Sequence, residues 1–60
     1  MEIKRLSDGD YIVITNGGSI VAGPYKRLLR ARLAYPMARC GSGVTPAEWR
    51  ETDAAVRRAR

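Results

Sequence analysis

The residue types that carry enzyme chemistry are sparse in this chain. It has no histidine, the side chain that most often serves as general base near neutral pH. Its one cysteine, Cys40, stands beside Arg39 and ahead of a glycine-rich turn, a setting in which a reactive thiol is conceivable. A nucleophilic thiol of the Cys–His type also needs its base, and none is available. The six carboxylates are scattered through turns and helix starts, without the paired spacing of acid–base work or of a cation cage. One cysteine and no histidine rule out an intrachain disulfide and an ordinary zinc site. Gly41-Ser42-Gly43 lacks the lysine and the spacing of a phosphate-binding loop. A chain of 60 residues also has little room for an enclosed substrate pocket. The expectation is a non-enzyme with no cofactor and no metal.

What the chain does hold is arginine. Nine of its eleven basic residues are arginine, and the net charge is +5. The charge is uneven: residues 1–25 sum to −1 and residues 26–60 to +6. Arginine's planar fork suits phosphate and carboxylate recognition, whereas lysine is the commoner choice for plain solubility. Lys26, Arg27 and Arg30 fall on the outer face of a first helix, and Arg57, Arg58 and Arg60 at the end of a second. Together they form a candidate surface for DNA, RNA or an acidic protein. Such arginines would contact phosphates and give salt-dependent affinity with weak sequence selectivity. The alternative is a solvated helix surface, with the last three arginines placed to suit the negative end of a helix dipole. No helix-turn-helix spacing, ribonucleoprotein aromatic motif or zinc ligand set accompanies the arginines.

The elements that must position these residues are organised around Tyr11 to Tyr25. Two apolar, β-branched runs flank Asn16-Gly17-Gly18, a strong hairpin signal. Upstream, Glu2 to Leu6 reads as a strand, and Asp8-Gly9 as a two-residue turn that sets Ile3 opposite Ile14 and Arg5 opposite Ile12. In the second hairpin a two-residue loop would set Val13 against Ile20. A three-residue loop would set Ile14 against Ile20 and Ile12 against Ala22. The second is preferred because it gathers Ile3, Ile12, Ile14, Ile20 and Ala22 on one buried face. Leu6, Tyr11, Val13 and Val21 then share the opposite face, which is more apolar than solvent warrants. A helix or a partner must cover it. Tyr11, Val13 and Val21 are therefore candidate protein-interface residues, with Trp49 as a fourth.

The expected organisation is one small domain over residues 1–60: a β-meander at 1–23, a helix at 24–39, a glycine-rich linker at 40–44 and a C-terminal helix at 45–60. Gly23-Pro24 ends the third strand and starts the first helix. Tyr25, Leu28, Leu29, Leu33 and Tyr35 share its apolar face. Arg32 falls inside that arc, either snorkelling at the edge of the core or paired with a carboxylate on the sheet or on a partner. Pro36 ends or kinks the helix at Tyr35, and Met37 to Cys40 could add another turn. Thr45-Pro46-Ala47-Glu48 is a capping box with proline at the first helical position. Asp53 and Arg57 stand in the favourable order for a helix ion pair. The fold class is thus α+β: a three-stranded antiparallel sheet followed by two α-helices, at least the first packing on the Ile3/Ile12/Ile14/Ile20 face.

A core of this size supplies only about 3–5 kcal/mol without a staple, so a partner surface or a second copy is expected to bury part of the apolar area. No signal-peptide pattern and no bilayer-length apolar run is present, so a soluble cytoplasmic protein without membrane contact is the default. The run D-G-D-Y-I-V-I-T-N-G-G-S-I-V-A-G-P-Y, residues 8–25, resembles a strand–turn–strand–Gly-Pro-aromatic unit of small proteins encoded by phages and mobile elements. That resemblance implies the class of modulators that includes anti-CRISPR proteins, which mostly bind a host protein or nucleoprotein complex and block it. Many of that class mimic nucleic acid with acidic surfaces, a mechanism that does not suit a basic chain. Three readings follow, in order: a non-catalytic inhibitor or adaptor, a direct nucleic-acid binder, and a structural homodimerisation module.

Overall fold

The computed structural model describes residues 1–59. The elements in chain order are β1 (Glu2–Arg5), β2 (Tyr11–Ile14), β3 (Ile20–Tyr25), α1 (Leu28–Ala34), β4 (Arg39–Cys40) and α2 (Pro46–Ala59). The strands form one sheet in the order β3-β2-β1-β4. The α+β class stands, but the sheet is not a three-stranded antiparallel one. The meander β1-β2-β3 is antiparallel, and β4 adds a fourth strand parallel to β1.

Both hairpins turn in the same way. Gly9 N–H donates to Leu6 O at 3.0 Å and Gly18 N–H to Thr15 O at 2.9 Å, each glycine at positive φ (93° and 90°). This is the three-residue loop in which a type I turn ends in a left-handed glycine. The second loop therefore has its preferred length, and Ile14 pairs with Ile20. The first is one residue longer than the Asp8-Gly9 reading allows, and Asp8 Oδ1 ties it by accepting from Asp10 N–H at 3.1 Å. That extra residue slips the register by one: Ile3 faces Val13, and Arg5 faces Tyr11. A slip of one exchanges the two faces of a strand.

The core consequently lies on the face that was expected to be open. Ile3, Tyr11, Val13, Leu28, Ala31, Ala38 and Val44 form it, with Ala22, Tyr25, Tyr35 and Trp49 at its margin. Val13 is fully buried and Tyr11 is 9% exposed, so neither belongs to a protein interface. The Ile12/Ile14/Ile20 face points away from the helices, and Ile20 is 68% exposed. The expected Ile12–Ala22 pair is absent because an extra residue at Val21 sets Ala22 against Val13. Ile12 stays buried nonetheless, since the β3 backbone at Gly23 lies against it.

The segments read as one helix and a linker are built differently. Gly23 and Pro24, joined by a cis peptide bond, remain inside β3. Proline is tolerated there because β3 is an edge strand with no outer neighbour to receive an N–H. The first helix is seven residues long, starting only at Leu28. The glycine-rich stretch is docked on the sheet: Gly41 N–H donates to Ile3 O at 2.8 Å and Arg5 N–H to Ser42 O at 2.9 Å. A Cβ at position 41 would lie 2.6 Å from Ile3 O, so the close approach of β4 to β1 requires glycine. Since β4 runs parallel to β1 at the edge opposite β3, α1 must cross the sheet between them, which seats it on the Ile3/Val13 face.

The second helix matches its expected span through Ala59. Thr45 Oγ1 accepts from Glu48 N–H at 3.2 Å, one half of the capping box. The Glu48 carboxylate reaches instead to the sheet, accepting from Tyr11 Oη at 3.3 Å. No helix of the described residues is long and apolar enough to cross a membrane.

Candidate functional site

An open groove of about 610 Å³ lies where β3 hands over to α1, lined by Pro24, Tyr25, Lys26, Arg27, Arg30, Leu33 and Ala34. Its shape follows from where the helix starts. Strand β3 continues through Tyr25, and Arg27 remains extended (φ −131°, ψ 143°), so Lys26 and Arg27 cross from sheet to helix outside both ladders. Helix α1 then buries Leu28, Ala31 and Arg32. The positions between these point outward, and Arg30, Leu33 and Ala34 form one stripe at the i, i+3 and i+4 spacing. Leu33, expected on the apolar inner face, is 42% exposed for that reason.

The groove pairs cations with apolar surface. Lys26, Arg27 and Arg30 are all exposed. Among the described residues none of the three lies within ion-pair distance of a carboxylate. The lining itself contains no carboxylate, so its positive charges add without a counter-charge beside them. Pro24, Leu33, Ala34 and Tyr25, the last also packed against the core, supply the apolar part. This arrangement can hold an anionic group and a flat or aliphatic group side by side.

Of the residues singled out from sequence, Lys26, Arg27 and Arg30 come together here. Arg57 and Arg58 are exposed in the last turn of α2 and do not line the groove. Arg60 lies outside the described residues. Val21 is exposed on the edge strand. Trp49 is half-buried at the margin of the core. Sequence reasoning missed Tyr25, Leu33, Pro24 and Ala34 as groove residues because it began the helix four residues early.

Arg32 is committed to packing. Buried at 8% exposure, its Nη1 donates to Trp49 O and Thr52 Oγ1, each at 2.9 Å, and to Asp53 Oδ1 at 2.5 Å. Two hydrogens serve three acceptors, so one is shared. The guanidinium also lies 4.1 Å from the centre of the Trp49 ring. Asp53 thus pairs across the helices with Arg32, where the sequence suggested Arg57. Tyr11 makes the other polar tie to α2. Its phenol is held above the ordinary tyrosine pKa, first by burial and then by the Glu48 carboxylate, against the lowering effect of Arg5. Cys40 is exposed, with Sγ 3.4 Å from Val44 O. No cluster of three or more metal-ligating side chains occurs among the described residues.

Comparison with protein-family models, with curated proteins and with solved structures gives no match to this chain.

Proposed function

We propose that this chain is a non-catalytic interaction protein that holds an anionic macromolecular partner in the groove beside α1. The observation that supports this reading is the convergence of Lys26, Arg27 and Arg30 on a lining that has apolar surface and no carboxylate. Cations without partners are available to an incoming anion, because no existing ion pair has to be broken first. A nucleoprotein complex presents such anionic surfaces, so an inhibitor that works by occupancy in a host cytoplasm is the narrower form of the same reading.

Retention on immobilised heparin, a generic polyanion, tests the reading with two variants of equal net charge. Lys26→Ala/Arg27→Ala/Arg30→Ala should elute at clearly lower salt than the unaltered protein. Arg50→Ala/Arg57→Ala/Arg58→Ala, which removes three charges from α2, should elute close to it. Equal loss in both variants would show that net charge acts alone, and the groove reading would be abandoned.

A further inference from the structure

Resting on that reading, we infer that the partner is single-stranded nucleic acid, with a base against Tyr25 and phosphates on Lys26, Arg27 and Arg30. Single strands are held by cations that track the backbone and by aromatic faces on which bases stack. The groove has both within a few residues of chain: Tyr25 ends β3, and the three cations follow on the bend and on the first turn of α1. Tyr25 is half-buried, with part of it packed against the core. Leu33 and Pro24 line the same groove, so a base set against Tyr25 has apolar surface to cover as well.

The competing anionic partners fit this geometry less well. Sequence readout of a duplex through its major groove takes a helix or ribbon that can enter it. Helix α1 is seven residues, about 10 Å long, and its inner face is packed on the sheet. An extended acidic peptide that binds by strand addition needs a regular open edge. The edge beside the groove is β3, where two register shifts and Pro24 interrupt the ladder an added strand would need. A flexible single strand needs neither an inserted helix nor a regular edge.

Fluorescence anisotropy of short labelled oligouridylate and oligothymidylate tests the inference, with a duplex of the same length and polyglutamate measured alongside. The single strands should bind more tightly than the duplex. Log affinity should fall against log salt with a slope of about −2, as three neutralised phosphates on a single strand require. Tyr25→Leu should weaken binding about tenfold, the loss of one stacked base, while Tyr25→Phe keeps the ring and stays within about twofold. Polyglutamate binding without oligonucleotide binding would overturn this inference and leave the proposed function standing. Binding of neither would overturn both. Equal affinity for duplex and single strands would sink the stacking geometry, and that comparison uses the unaltered protein, so it holds even if Tyr25→Leu fails to fold.

Discussion

Arg32 is charged, sits where a leucine would be expected, and joins the two helices. Its guanidinium is stacked on Trp49 and donates to Trp49, Thr52 and Asp53, so α2 is held by geometry as much as by apolar area. Asp53 keeps 31% of its side chain exposed, which softens the cost of leaving it alone. Arg32→Ala should therefore cost about 2 kcal/mol, below the 3–5 typical of a fully buried pair. Arg32→Lys should recover only part, since lysine has neither the planar face nor the fork. Urea unfolding of the three proteins measures this, and a loss under about 0.5 kcal/mol would mark the contact as surface-like. Tyr11 gives a pH signature at the same scale. Its folded-state pKa is raised, so the unfolded chain loses the phenolic proton first. The associated stability is full below about pH 10, the unfolded value, and is lost as pH rises through the folded one. Unfolding midpoints from pH 8 to pH 11 should fall less steeply for Tyr11→Phe than for the parent. Parallel curves would show that Tyr11 does not carry the effect.

At the scale of elements, the hairpins and α2 were legible in the sequence, and turn length was not. Asn-Gly-Gly and Asp-Gly both announce a hairpin, and the capping motif at Thr45 announces α2. The choice between a two- and a three-residue loop is worth little locally, yet it decides which face of the sheet is the core. With Ser7 inside the loop, Ile3 meets Val13, and the faces exchange. The strand β4 was illegible for a different reason: two residues beside glycines carry no β pattern, and only the edge of β1 makes them a strand. Glycine there is a packing requirement. Gly41→Ala would place a methyl 2.6 Å from Ile3 O and should cost about 1–3 kcal/mol by displacing the edge. Gly17→Ala, with 3.8 Å to its nearest neighbour and no positive φ, should leave stability unchanged or slightly higher. Thermal unfolding of both variants separates the two glycines, and equal midpoints would contradict the close approach of β4.

At the scale of the whole molecule, the site was half legible. Composition located the excess charge in the second part of the chain, and Lys26, Arg27 and Arg30 do come together. Their apolar companions stayed hidden, because Tyr25, which does pack at the core margin, and Leu33, which does not, both fell on the inner face of the expected helix. The opposite helix end supplies Arg57 and Arg58 away from the groove, so a charge count alone overstates the size of the surface. The sheet's two margins are each unfit for ladder extension, one through its irregularities and proline, the other through being two residues long.

The parallel pairing joins residue 2 to residue 39, whereas each antiparallel pairing joins neighbours across a short loop. Closing a long loop costs entropy before any contact repays it. The meander is therefore the part of the sheet with the means to assemble early, and β4 the part that arrives late, after α1 has crossed. In the folded protein β4 is a two-residue strand at the sheet edge, the kind of segment that opens locally at low cost. In strand order its seam with β1 lies at the far margin from the β3 end of the groove. Transient unzipping of β4 thus leaves the β3 wall of the groove in place.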